Sequence, residues 1–195
     1  TPKMTLSENF RRLIMNNTAL LLIDIQNIYF AKGPFCLHEP KKAATNAKAL
    51  LEYFRQHKLE VIHVVHNFNT DSYTQEHDYL CEIQSLVKPL PQEKVIYKDY
   101  PSAYFKTSLQ DYLQEHHINK LVIAGMMTHM CVSTTTRASK DYGYDVTLIE
   151  DACTTKELAY KDEIIPATTV HKANIAALDK VFATVMSTDA FLSNF

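Results

Sequence analysis

A chain of 195 residues, 46% hydrophobic and 22% charged, is long enough for one well-buried core and short for two. Its formal charge of -2 excludes a basic nucleic-acid binder, and no apolar run in it approaches the length of a membrane span. Cys36, Cys81, Cys131 and Cys153 are widely spaced with no CxxC, and residues 1–15 lack the apolar core of a signal peptide, so a reducing, cytoplasmic setting is expected.

In chain order, residues 1–16 read as an extension, and residues 19–24 form an apolar run without alternation that ends in Asp24. Such a run predicts a strand buried on both faces, the mark of a parallel sheet. After a loop around Gly33-Pro34, Ala44, Ala47, Leu50, Leu51 and Phe54 recur at helical spacing across 41–57. Residues 61–66 make a second strand, and 67–79 are polar and aromatic without periodicity, a loop for substrate or partner. Residues 95–98 are a short third strand ending in Lys98. A helix is predicted from Pro101-Ser102 to His116, a fourth strand over 120–125, and a helix from Cys131 to about Tyr142, closed by Gly143. A fifth strand over 145–149, a helix over 169–182 and a sixth strand over 183–186 complete the pattern. Alternating strands and helices predict a single α/β domain, a doubly wound sheet of about six mainly parallel strands covered on both faces.

Three reactive side chains then stand at strand C-terminal ends, which share one rim in such a sheet. Cys131, opening a helix, would have its sulfur near unpaired N–H groups, which favours thiolate and predicts a lowered pKa. A thiol nucleophile needs a proton acceptor, and Asp24 in a partly dry pocket supplies one. A Lys98 cation between them would keep Asp24 ionised and favour thiolate. Cys36, Cys81 and Cys153 have no comparable setting and read as structural.

These residues resemble the isochorismatase-like cysteine hydrolases, a family that includes nicotinamidases and N-carbamoylsarcosine amidohydrolases. The matching pieces are Leu20-Leu21-Leu22-Ile23-Asp24-Ile25-Gln26-Asn27, Lys98 followed by Ser102-Ala103-Tyr104-Phe105, Gly125-Met126-Met127-Thr128-His129-Met130-Cys131-Val132, and Glu150-Asp151-Ala152. The resemblance implies that Cys131 attacks an amide-type carbonyl, that Asp24 is general acid and base, and that Lys98 supports both charges. It further implies a cis Met126-Met127 bond, with the N–H groups of Met127 and Cys131 facing a developing oxyanion.

Departures from the family narrow the substrate. Nicotinamidases carry an Asp-x-His pair after the second strand, and that pair is missing from His63-Val64-Val65-His66-Asn67-Phe68. Two histidines three apart on a strand face opposite sides, so no metal and no cofactor are expected. Members dedicated to enol-ether hydrolysis can lack the cysteine, so Cys131 favours a carbon–nitrogen bond in a small amide, carbamoyl or ureide compound. Phe30, Tyr100, Tyr104, Phe105 and His129 are expected to line the pocket, with Gln26 and Thr128 as polar support. The alternatives are an enol-ether hydrolase and a catalytically idle oligomeric binding protein of the same fold. The expected partners are a small-molecule substrate and other copies of the chain, as a dimer or tetramer by resemblance, with neither nucleic acid nor membrane.

Overall fold

The computed structural model describes residues 17–30, 35–68 and 75–194, with the side chains of 75–77 left aside. The expected extension over 1–16, the Gly33-Pro34 loop, residues 69–74 of the expected 67–79 loop and the His77 side chain lie outside the described residues. Six parallel strands form the sheet: β1 (Thr18–Ile23), β2 (Glu60–His66), β3 (Lys94–Lys98), β4 (Lys120–Met126), β5 (Asp145–Thr154) and β8 (Thr184–Met186). Their order is β3-β2-β1-β4-β5-β8, so the chain reverses its winding direction between β1 and β4. A two-stranded hairpin of β6 (Leu158–Tyr160) and β7 (Glu163–Ile165) stands apart from it.

Every residue of β1 is buried because side chains alternate between two cores. Leu20 and Leu22 face a cluster formed with Ala44, Leu50, Leu51 and Phe54 of α1 (Pro40–Gln56) and Phe191 of the terminal helix α6 (Thr188–Asn194). Ala19, Leu21 and Ile23 face the other, with Leu109 and Leu113 of α3 (Leu109–Glu115), Val132, and Ile175 and Leu178 of α5 (Ala167–Leu178). Helix α4 (Ser133–Asp141) packs on this second face through Ala138, and a short helix α2 (Gln75–Cys81) precedes β3. Among the described residues no helix is long and apolar enough to cross a membrane, and none of the four cysteines is in a disulfide.

Three helices end alike. After α1, Lys58 is left-handed (φ 56°), and Leu59 N–H and Lys58 N–H donate to Phe54 O and Arg55 O. His117 (φ 55°) ends α3 and Gly143 (φ 88°) ends α4 with the same pair of bonds. This is the Schellman arrangement, which satisfies carbonyls the helix leaves over.

The helix predicted from Pro101 begins only at Leu109. Side-chain hydroxyls capture the intervening backbone: Thr135 Oγ1 accepts from Ala103 N–H, Ser102 Oγ from Tyr104 N–H, and Thr107 Oγ1 donates to Ala103 O. Such local bonds compete with helical ones. The fifth strand runs on to Thr154 beyond a register shift opposite Ile123 and Gly125, and α5 stops at Leu178 instead of 182.

Candidate active site

Asp24, Lys98 and Cys131 meet on the rim at the switch point between β1 and β4, where sheets of this kind place their ligands. Asp24, the first residue past β1, is left-handed (φ 52°), and its N–H donates to Val64 O at 2.9 Å. Aspartate adopts that conformation more readily than most residues. Lys98 ends the edge strand β3 in register with His66 of β2, so both side chains leave the sheet on the same side. Cys131 lies in a π-helical turn, Thr128–Val132, that follows a cis Met126-Met127 peptide.

The Lys98 ammonium donates to Asp24 Oδ2 at 2.7 Å and to Cys131 Sγ at 3.2 Å, and stands 3.1 Å from His66 Nδ1. Asp24 and Lys98 are fully buried, and Cys131 is 6% exposed. Among the described residues Asp24 Oδ1 has no hydrogen-bond partner, and a carboxylate oxygen of Asp24, Cys131 Sγ and a ring nitrogen of His66 lie within 4.8 Å of one another. These three residues are the one metal-capable cluster among the described residues. The point on which they converge holds the Lys98 ammonium, so a divalent ion there would have to displace a buried cation. The donor set therefore fits the ammonium and does not fit a metal.

Burial pushes the Asp24 carboxyl up against the pull of Lys98. Burial, reinforced by the Asp24 charge, pushes the Cys131 thiol up to about 12, with Lys98 acting the other way. This overturns the expected low thiol pKa. Cys131 does not open an exposed helix; it sits inside the π-helical turn, and α4 starts at Ser133. Two groups both shifted upward and in contact titrate as a pair. Both partners of that pair face one ammonium, that of Lys98.

This geometry has relatives. The isochorismatase domain model matches residues 18–190. The chain belongs to the isochorismatase family. An uncharacterized isochorismatase family protein of Bacillus subtilis is 45% identical over 177 residues, covering 90% of this chain and 98% of that one. A crystal structure of an isochorismatase from Pseudomonas putida superimposes with a TM-score of 0.85 at 36% identity, covering 90% of both chains. A putative isochorismatase hydrolase from Oleispira antarctica gives 0.86 at 35% identity, over 98% of this chain and 100% of that one.

In this isochorismatase-family hydrolase the predicted pocket residues do not all reach the thiol. Gln26 is fully buried, and its amide clamps the backbone: Oε1 accepts from His66 N–H, and Nε2 donates to His66 O and Cys81 O. With both ends engaged it fixes the end of β2 and has nothing left for a substrate. Tyr104 is a core residue, its hydroxyl on Ser139 Oγ at 2.9 Å and its ring against Tyr142 and Tyr144. Thr128 Oγ1 pairs with His171 Nδ1, and His129 Nδ1 with Thr155 Oγ1, so the residues before Cys131 tie the turn to α5 and the end of β5. Phe30 is half-buried against the Leu20–Leu22 core. Tyr100 and Phe105, 41% and 51% exposed, form an edge-to-face pair under the Lys106 ammonium.

Sequence reasoning missed three contributors. Tyr29 is buried, with its hydroxyl pKa raised first by burial and then by Asp24 and Cys131. His66 touches Lys98, and Gly125 sets the strand spacing beneath Asp24. Gly125 alone carried a signal, as a glycine inside a strand marks close backbone approach.

Proposed function

We propose that this hydrolase cleaves a carbon–nitrogen bond of a small amide, carbamoyl or ureide compound through a thioester on Cys131. The observation that carries the reading is the single ammonium of Lys98, 2.7 Å from Asp24 Oδ2 and 3.2 Å from Cys131 Sγ. The names of more distant relatives support the bond type: a nicotinamidase of Escherichia coli and a ureidoacrylate amidohydrolase of Variovorax paradoxus, 27% and 29% identical over 174 and 114 residues.

Sγ attacks the carbonyl carbon as its proton passes to Asp24, so the resting thiol need not be ionised. The new C–S bond makes a tetrahedral oxyanion, which the N–H groups of Met127 and Cys131 receive, an effect worth roughly 3 kcal/mol per donor. Asp24 returns the proton to the nitrogen, the C–N bond breaks and the amine or ammonia leaves. Water then attacks the thioester, giving its proton to Asp24. The C–S bond breaks, the acid departs, and the proton returns to sulfur. Lys98 compensates whichever of Asp24 or sulfur carries the negative charge.

Turnover of a panel of small amides and ureides, with intact-mass detection of the acyl-enzyme, tests this. An adduct on Cys131 and loss of turnover in Cys131→Ala are expected. Turnover that survives Cys131→Ala, or an adduct on Cys36, Cys81 or Cys153, overturns the reading.

A further inference from the structure

We propose that His66 is a positioning residue for the Lys98 ammonium: a neutral imidazole whose Nδ1 lone pair takes the third ammonium proton and so fixes the cation between Asp24 and Cys131. The inference rests on the hydrolase reading for its consequence but on hydrogen-bond counting for its substance. An ammonium has three protons and no lone pair. Among the described residues Lys98 Nζ has three polar neighbours in range: Asp24 Oδ2 at 2.7 Å, His66 Nδ1 at 3.1 Å and Cys131 Sγ at 3.2 Å. All three must accept. His66 Nδ1 therefore bears no proton, which leaves the ring's proton on Nε2.

The surroundings hold the ring in that role. Its backbone N–H and C=O are both gripped by the Gln26 amide, and in-register pairing with Lys98 sets the two side chains side by side. Phe68 packs against the ring edge-on at 4.9 Å, and Asn67 locks the strand end through its N–H to Lys98 O and its amide to Asp99. Among the described residues the charged and titratable groups that face His66 are Lys98, Asp24, Cys131 and Asp99; Asp78, Tyr79, Cys81, Glu82, Lys88 and Tyr97 share the neighbouring cleft. Burial first, and Lys98 second, lower its pKa to about 4, so the ring stays neutral where the enzyme would work.

Without the Nδ1 acceptor, one proton of a fully buried ammonium is left unpaired, and the cation is free to turn away from one of its two anionic partners. A generic ring-packing role would not care which atom stands at Nδ1. The substitutions His66→Asn and His66→Leu separate the two, because the asparagine amide places an oxygen near the Nδ1 position and leucine places none.

Nitrogen NMR of the wild-type protein reads the tautomer directly, and iodoacetamide labelling, followed on the Cys131 peptide, reads the thiol without any substrate. A neutral Nε2–H ring between pH 5 and 8 is expected. His66→Leu should slow Cys131 alkylation at pH 7 about tenfold, the effect of a one-unit upward pKa shift, and His66→Asn should recover most of it. An Nδ1–H tautomer or an imidazolium at pH 7 overturns the proposal. So does a folded His66→Leu protein with wild-type alkylation, or a His66→Asn protein as slow as His66→Leu. If His66→Leu fails to fold, the tautomer in the wild-type protein still decides. If the wild-type enzyme forms no acyl adduct but the tautomer is as stated, the hydrolase reading falls and the assignment of His66 stands.

Discussion

Gly125 is pressed so closely on Ile23 that a Cβ built on it would stand 2.1 Å from the Ile23 carbonyl oxygen. The two are register partners on β4 and β1, Asp24 follows Ile23 directly, and Gly125 has a φ of 143° that side chains rarely tolerate. The contact sets the separation between Asp24 at the end of one strand and the turn that carries Cys131 from the next. Gly125→Ala should therefore cost about 3 kcal/mol of stability, through backbone that must move, and should abolish hydrolysis in whatever folds. Thermal melting and turnover measure both. A variant with wild-type stability and turnover would show that the strand spacing is irrelevant.

Removing the Asp24 charge while keeping its shape separates its two effects on Cys131. In the proposed mechanism it takes the thiol proton during attack; as a neighbouring anion it holds the thiol pKa up, second only to burial. Asp24→Asn should lower turnover by roughly a thousandfold. It should also move the Cys131 alkylation midpoint down by about a unit, because Lys98 then compensates thiolate alone. Iodoacetamide labelling across pH, beside turnover, reads the pair of changes. A midpoint that rises would mean that Asp24 draws the proton from the thiol at rest.

Much of this site was legible in the sequence because unbroken apolar strands announce a parallel sheet, and such a sheet sends its strand ends to one rim. That reasoning brought Asp24, Lys98 and Cys131 together. It failed where a side chain's partner depends on three-dimensional packing. Gln26 is two residues past Asp24 and polar, so it reads as a substrate contact; in the fold it spends its amide on the backbone of His66 and Cys81. Tyr104 reads as a pocket wall beside Lys98, but its hydroxyl finds Ser139 on α4. The thiol pKa went astray for a related reason. A helix start was legible, but not the π-helical turn that buries the sulfur ahead of it.

Glycine-poor helix ends make a stability prediction. The chain has three glycines, and of the three Schellman ends one uses Gly143 while Lys58 and His117 take the left-handed position at the others. Both are exposed, so nothing but the backbone decides the effect. Lys58→Gly and His117→Gly should each raise stability by about 0.5 to 1 kcal/mol, since the steric cost relieved exceeds the entropy that glycine loses. Urea midpoints measure it, and the gains should add because the sites end different helices. Destabilisation by either would mean that the lysine or imidazole side chain makes a compensating contact.

Edge strand β3 carries Lys98 at one end and is pinned at the other by a buried ionic knot. Glu93 accepts from Arg55 Nε at 2.7 Å, Arg55 Nη2 at 2.8 Å and Leu90 N–H at 2.8 Å, and pairs with His63 Nε2 at 2.9 Å. Burial raises the Glu93 carboxyl, but the bonds from Arg55, Leu90 and His63 outweigh it and bring the pKa from the usual 4.5 to about 2. A depressed acid contributes stability that is fully present above about 4.5 and is lost as pH falls through about 2. His63 is lowered from 6.5, first by burial, so the unfolded chain takes up that proton earlier and stability begins to fall below about 6.5. Acid should thus weaken the fold in two stages. Glu93→Gln removes the second: it should cost about 3 kcal/mol at pH 7, with the gap to wild type closing between about pH 4.5 and pH 2. Urea midpoints at pH 7, 5 and 3 read that convergence. A gap that stays constant across the series would show that the titration of Glu93 has no part in it.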